Sequence, residues 1–186
     1  MNSDKTQATE SCDAGLTART ATAEDVKATG SYSVECFDVS GKLKWADKFD
    51  NLVTTVGKNF MLDTTFAGST YTAGWFLGLV TGPGAGNVYA VGDTMATHAG
   101  WSESVAYSNS TRIPAVWNAA SAGSKSTLAA VFNINATATI AGSFLVNDST
   151  KSGTSGTLYS VGNFTGGDRL VASGDTLNVT YTATLT

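Results

Sequence analysis

The side chains that could carry out catalysis or bind a metal are few in this chain. Its single histidine is His98, and the nearest acidic residues are Asp93 and Glu103. These three residues lack the spacing of a known metal site, and no GxSxG sequence marks a nucleophilic serine. We therefore expect His98 to be a loop residue, hydrogen-bonded near Trp101, and we expect no metal site.

Two acidic residues with aromatic neighbours, Glu35 and Glu103, could in principle form the carboxylate pair of a glycosidase. Sugar-cleaving clefts usually carry several exposed aromatic side chains and further acids close by. Glu103 is better explained as the partner of Arg112, in an ion pair that brackets Trp101 and Tyr107. The sequence therefore predicts a non-enzymatic protein with no cofactor.

The cysteines and glycines do not predict a special site either. Cys12 and Cys36 are the only cysteines and form no CxxC pattern, which predicts neither a zinc site nor a disulfide framework. Cys36 is expected to be a small buried hydrophobic residue. The glycine-rich segment 81–87 contains Pro83 and no lysine, so we interpret it as a loop that does not bind phosphate.

The charge of the chain argues against several classes of partner. The net charge is −4, and no basic cluster is longer than Lys42–Leu43–Lys44. Nucleic-acid binding needs a basic stripe, so no direct nucleic-acid contact is expected. No run approaches the roughly 18–20 apolar residues of a membrane span, so no membrane contact is expected. The polar residues 1–10 are unlike a secretory signal peptide, which predicts folding in a cytoplasm.

The composition and the periodicity of the chain predict a mostly-β fold. Charged residues make up 14% of the chain, well below the usual quarter, and threonine is abundant. Tyr32, Val34 and Cys36 alternate with polar residues, as in a half-buried strand, and the pattern resumes after a turn at 38–41 to give a β-hairpin. Further strands are predicted at 75–80, near 101–107, and at 127–134, 137–146, 158–164, 169–172 and 176–185.

One segment, 51–66, changes to a helical period. Thr54 or Thr55 can cap its N-terminus, and Gly57 lies on its apolar side, where it would allow close packing against a sheet. About eight strands with short polar turns and one such helix are typical of a jelly roll. We therefore predict an antiparallel β-sandwich of jelly-roll type with one short amphipathic helix and an extended N-terminal arm.

The predicted domains are the arm at 1–30 and the sandwich at 31–186. Apart from Met1, the arm contains only Leu16 and Val26 as large apolar residues, and it has no aromatic residue. Such a segment cannot bury enough apolar surface to fold alone. Two interpretations stay open, a disordered tail and an arm that becomes ordered on a neighbouring subunit.

Aromatic residues in the region 93–117 lie among polar loop residues, so this region is the predicted surface for a partner. Tryptophan and tyrosine contribute a large contact area at low entropic cost and are frequent in interfaces. The candidate interface residues, including the two from the arm, are Leu16, Val26, Trp101, Tyr107, Arg112 and Trp117.

Several groups of residues resemble a recurrent pattern in small virion proteins of tailed bacteriophages. Near the start of the predicted domain these groups are SVECFD at 33–38, LKW at 43–45 and NLVTTVG at 51–57. The central group is HAGWSE at 98–103 with Ala106, Tyr107 and Arg112. Towards the end they are IAGSFL at 140–145, GTLY at 156–159 and GDTLNVTY at 174–181.

The resemblance implies a jelly-roll capsid cement or decoration protein that lies on the capsid surface of the virion after synthesis in the bacterial host cytoplasm. The implied partners are the major capsid protein and further copies of this chain, as a dimer or trimer. No catalytic residues come with the resemblance. The alternative is a tail, neck or fibre component, for example a module that binds a receptor or a glycan.

Overall fold

The structure is a computed structural model that describes residues 26–66 and 74–186. Within these residues the chain forms twelve β-strands, a 3₁₀ turn at Gly84–Gly86 and one α-helix, α1 (Thr55–Phe66). The strands are β1 (Ala28–Phe37), β2 (Leu43–Asp50), β3 (Leu52–Val53), β4 (Phe76–Thr81), β5 (Glu103–Ser104), β6 (Ile113–Pro114), β7 (Ser124–Ser126), β8 (Ala130–Asn133), β9 (Ala138–Val146), β10 (Leu158–Asn163), β11 (Arg169–Val171) and β12 (Thr176–Leu185).

The first sheet has five strands in the order β2-β1-β12-β7, and β8 also pairs with β12. The first and the last strand pair over their full length, from Ala28 opposite Leu185 to Phe37 opposite Thr176. Tyr32, Val34 and Cys36 point into the core, as the alternation of apolar and polar residues predicts. Cys36 is fully buried in the core, which confirms the prediction that it is a small buried residue. Burial and the nearby Asp175 carboxylate raise the pKa of its thiol to about 11.

The second sheet has seven strands in the order β3-β10-β9-β4-β5, with β11 paired to β9 and β6 paired to β4. Its strand β9 is buried on both faces. One face, with Ile140 and Leu145, packs in the core shared with the first sheet. The other, with Phe144, packs in a smaller cluster beneath Met95 and Trp101. The loop that carries Trp101 therefore forms an outer layer over the second sheet.

Helix α1 begins as the sequence predicts. The Gly57 amide donates a hydrogen bond of 3.1 Å to Thr54 Oγ1, so Thr54 is the N-cap. A Cβ atom added at Gly57 would lie 2.8 Å from the carbonyl oxygen of Tyr159 in β10. The absence of a side chain at Gly57 thus allows the helix to pack directly on the second sheet, which confirms that prediction.

The predicted fold class, a mostly-β antiparallel sandwich with one short helix, is confirmed, and its first and last strands pair as in a jelly roll. The short strands β3, β6 and β7 were not predicted, because two or three residues show no period. Strand β1 begins at Ala28, so residues 28–30 belong to the sandwich and not to the arm as predicted. Residues 1–25 of the predicted arm lie outside the described residues. No helix in the described part of the chain is long and apolar enough to span a membrane.

Candidate interaction surface

A buried ion pair lies at the centre of the region 93–117. The side chain of Arg112 is fully buried, and its Nε and Nη2 atoms donate to the two carboxylate oxygens of Glu103 at 3.0 and 2.8 Å. Nη1 donates to the carbonyl oxygen of Asp148 at 3.0 Å, and Nη2 donates also to that of Gly153 at 2.9 Å. The predicted Glu103–Arg112 pair is therefore confirmed, and it also fixes the loop 147–157 on the second sheet.

Further polar contacts tie the same loop to the chain around Tyr107. The Ser152 amide donates to Glu103 Oε2 at 2.8 Å. Lys151 Nζ donates to the carbonyl oxygens of Tyr107 and Asn109 at 2.8 and 3.0 Å, and it lies 4.0 Å from the centroid of the Tyr107 ring. Burial and the Glu103 carboxylate raise the pKa of the Tyr107 phenol, which therefore stays neutral. We call Glu103, Tyr107, Arg112, Asp148 and Lys151 the Arg112 cluster.

His98 stacks on Trp101, with 4.1 Å between ring centroids, and its Nδ1 atom lies 3.1 Å from the Trp101 carbonyl oxygen. The Trp101 indole N–H donates to Asp93 Oδ2 at 3.1 Å. His98 is thus a loop residue hydrogen-bonded to Trp101, as expected. Within residues 26–66 and 74–186, no group of three or more His, Cys, Asp or Glu side chains could hold a metal ion.

Three of the predicted interface residues are not on the surface. Trp101, Tyr107 and Arg112 are 5%, 1% and 0% exposed, so the prediction that they form a surface patch is wrong. The physical reason is that acidic partners inside the domain satisfy the polar ends of two of them, Asp93 for Trp101 and Glu103 for Arg112.

The remaining candidate residues have different positions. Leu16 lies outside the described residues, Val26 is 81% exposed and Trp117 is half-buried. The proposed carboxylate pair is not brought together, because Glu35 lies on the outer face of the first sheet and Glu103 lies in the second.

A pocket with aromatic walls lies between α1 and strands of both sheets. Its volume is about 240 Å³. Phe60 and Tyr159 each meet Trp75 edge to face, at centroid distances of 5.3 and 5.7 Å, so these walls fix one another. The full lining is Phe60, Met61, Thr64, Thr65, Trp75, Trp117, Lys125, Leu145, Tyr159 and Ala183. Trp117 is the one predicted interface residue that belongs to it.

A shallow groove runs next to this pocket, and Met61 borders both. The apolar side chains of Val26 and Leu62 are 81% and 55% exposed in the groove. Its full lining is Val26, Lys27, Ala28, Lys58, Met61, Leu62 and Leu185. We call the pocket and the groove together the α1 face, and it contains the second predicted interface residue, Val26.

The charged residues that line the α1 face are all lysines, namely Lys27, Lys58 and Lys125. None of them forms an ion pair with a carboxylate in the described ranges. Lys125 Nζ donates a hydrogen bond of 2.9 Å to the Asn118 carbonyl oxygen. The α1 face therefore combines apolar surface with lysines that form no ion pair among the described residues, although Asp50 lines an adjoining pocket together with Lys27 and Lys58.

Sequence reasoning missed the α1 face because its residues come from segments far apart in the chain. Phe60 lies in α1 and Trp75 directly precedes β4, but several strands lie between Trp75 and Tyr159, and no local pattern joins the three. Their only sequence signal is that all three are aromatic residues in, or at the start of, a predicted element.

The motif residues that carry the resemblance to phage virion proteins hold the sandwich together. HAGWSE and Arg112 contribute to the outer loop and the buried ion pair, while IAGSFL and GDTLNVTY lie largely in β9 and β12. Most of them are therefore residues of the fold, and two of them, Leu145 of IAGSFL and Tyr159 of GTLY, also line the pocket of the α1 face. No family model and no curated protein sequence matches the chain.

Proposed function

We propose that the chain is a non-enzymatic structural protein of a tailed-bacteriophage virion. In this proposal it is a capsid cement or decoration protein that binds the outer capsid lattice and bridges neighbouring major capsid subunits. The sequence resemblance favours a virion protein. The observation that carries the proposal is the α1 face, an aromatic pocket and a lysine-bearing groove on a rigid sandwich.

The α1 face has the features of a docking surface. A partner side chain of apolar character can enter the pocket between Phe60, Trp75 and Tyr159, and buried aromatic contacts of this kind often dominate the binding energy. An acidic residue next to it can pair with Lys58 or Lys125. The proposed partner is therefore a segment of the major capsid protein that carries an apolar side chain followed by an acid.

Because each copy binds the capsid lattice through more than one contact, each single interface can be modest and attachment is still stable. Each copy bridges two capsid subunits, so the second contact forms at a high effective concentration. The N-terminal arm is the second contact in this proposal, and a dimer or trimer of the chain fits the symmetry of such a lattice. The protein then lies on the virion surface after synthesis in the bacterial host cytoplasm.

A second candidate function is favoured by the Arg112 cluster. It fixes the loop 147–157, which is rich in serine, threonine and glycine, through buried hydrogen bonds from Arg112. Rigidly held polar loops suit the recognition of a receptor or a glycan by a tail, neck or fibre component.

The number of copies per virion separates the two candidates. Quantitative mass spectrometry of purified virions, with the major capsid protein as internal standard, measures it directly. A capsid cement protein is expected at on the order of hundreds of copies, whereas a component on the tail axis is present in about three to twelve. The low number would overturn the capsid assignment, and absence from the particle would overturn both.

A further inference from the structure

The acidic charge of the chain is concentrated at its N-terminus. Residues 1–25 contain five acidic and two basic residues, so this segment carries −3 of the net charge of −4. Two of the acids, Glu24 and Asp25, directly precede Val26. The rest of the chain carries ten acidic and nine basic residues and is therefore close to neutral, so the N-terminal segment accounts for most of the net negative charge.

The α1 face has the complementary character. It presents Lys27, Lys58 and Lys125 with no carboxylate among its lining residues, and the described parts of the chain supply no ion-pair partner for them. It also leaves Val26 and Leu62 largely exposed. An occupant of this face should therefore be acidic and should bring at least one apolar side chain.

The N-terminal segment joins the domain at this face. Val26 lines the groove, and the next residue is fixed by backbone hydrogen bonds in both directions between Lys27 and Thr186, at 2.6 and 3.1 Å. The preceding residues therefore start from the groove itself. Attachment at this point gives them a high effective concentration for the α1 face of their own chain.

We propose that residues 16–25 of the free protein lie along the α1 face of the same chain. Glu24 and Asp25 then lie near Lys27 and Lys58, and Leu16 covers apolar surface further along α1. The length is sufficient, because ten extended residues span about 33 Å and a helix of twelve residues measures about 18 Å.

The contact has a consequence for assembly, which rests on the proposed function. The N-terminal segment covers the surface that binds the capsid subunit until a capsid segment of similar chemistry displaces it. The released segment is then available as the second contact on the lattice. The intramolecular contact itself does not depend on this role, and it is tested without capsids.

The test uses the chain's own Cys12 as the probe. A cysteine is introduced at Leu62 on the α1 face, and a reference variant carries a cysteine at Lys48, which is exposed on β2. The matched control is the charge-reversed Leu62→Cys variant described below, because its cysteine lies at the same distance from Val26. Cys12 lies fourteen residues before Val26, so its reach of about 46 Å includes both positions. Each full-length variant is oxidised with oxidised glutathione at low protein concentration, and disulfides are identified by non-reducing electrophoresis and peptide mass spectrometry.

We expect the Cys12 disulfide within one chain to form at least about tenfold faster with Leu62→Cys than with Lys48→Cys. The double substitution Lys27→Glu/Lys58→Glu in the Leu62→Cys variant should remove most of that preference, since the acidic segment is then repelled. Equal rates at the two positions, a disulfide-linked dimer in place of the intramolecular product, or an unchanged preference after charge reversal would each overturn the proposal. Because no capsid is present, failure here is distinct from failure of the proposed function.

Discussion

The Arg112 cluster and the α1 face contain similar side chains but differ in whether the cationic groups have partners within the domain. Both combine aromatic rings with cationic groups. In the Arg112 cluster the guanidinium binds Glu103 and two backbone carbonyls, whereas the lysines of the α1 face meet no carboxylate among the described residues. Residue type alone therefore does not mark a docking surface. In the proposed account the mark is an exposed apolar surface next to cations that have no internal ion-pair partner.

The comparison has an energetic basis. A buried arginine is tolerated only with a partner and with its remaining donors satisfied, since the cost of an unpaired buried charge is several kcal/mol. The lysines of the α1 face are exposed, so their charges stay in contact with water or with the acidic N-terminal segment proposed above. The first region is therefore fixed by its internal pairing, and the second is proposed to bind a partner.

Removal of the buried guanidinium should cause the largest effect. Arg112→Met leaves the Glu103 carboxylate buried without its partner, and we expect a loss of about 3–5 kcal/mol in the free energy of unfolding. Urea denaturation followed by tryptophan fluorescence measures it. The double variant Arg112→Met/Glu103→Leu, in which neither charge remains, should regain a large part of that loss. A loss below about 1 kcal/mol for the single variant would contradict the role assigned to the cluster.

A smaller loss is expected where α1 meets the second sheet. A methyl group at Gly57 would contact the backbone of Tyr159, which cannot move without disturbing β10, so Gly57→Ala should cost about 1–3 kcal/mol. Gly92→Ala is the matched control, because nothing lies within 4 Å of a Cβ atom there. Thermal unfolding of both variants measures the difference. Equal stability would show that α1, and the face it carries, is not fixed by this contact.

Trp117 should contribute less to stability than a buried tryptophan. It is half-buried and meets Tyr181 edge to face at 6.1 Å. We expect Trp117→Ala to cost about 1–2 kcal/mol, while Trp101→Ala should cost about 3–5 kcal/mol because it opens a cavity over β9. Urea denaturation of both variants measures the contrast. An equal loss of unfolding free energy in the two variants would show that Trp117 is a core residue, and it would contradict its assignment to the α1 face.

The smallest effect is expected for the lysines of the groove. Lys58→Ala removes a charge that has no ion-pair partner in the described parts of the chain, so the free energy of unfolding should change by less than about 0.5 kcal/mol. The same variant should weaken capsid binding if the groove is part of the interface. A loss of stability above about 1 kcal/mol would instead assign Lys58 to the fold.

Much of the fold could be predicted from local patterns. Alternation in Tyr32, Val34 and Cys36 predicts β1. The capping residues Thr54 and Thr55 predict the start of α1 without deciding between the two, and the helical period places Gly57 on the apolar side. Strands of two or three residues, such as β6, could not be predicted, because their pairing depends on the neighbouring strand β4.

The location of the exposed surface could be predicted only in part. The Glu103–Arg112 pair could be predicted because few other charged residues are available in this region. The burial of Trp101 depends on its packing against Phe144, which β9 directs away from the main core. That packing joins segments more than forty residues apart, which no local pattern can specify. For the same reason the pocket around Trp75 and Tyr159 was not predicted.

The most direct test of the α1 face as the docking surface is a capsid-binding measurement with two charge-introducing variants. Leu62→Glu lies on the α1 face, and Val131→Glu lies on the outer face of the first sheet, where Val131 is likewise partly exposed. Both folded variants are titrated onto capsids that lack the protein, and bound copies are counted. We predict that Leu62→Glu weakens binding by at least about tenfold, which corresponds to 1.4 kcal/mol, while Val131→Glu binds like the unmodified chain. Unchanged binding of Leu62→Glu would contradict the account.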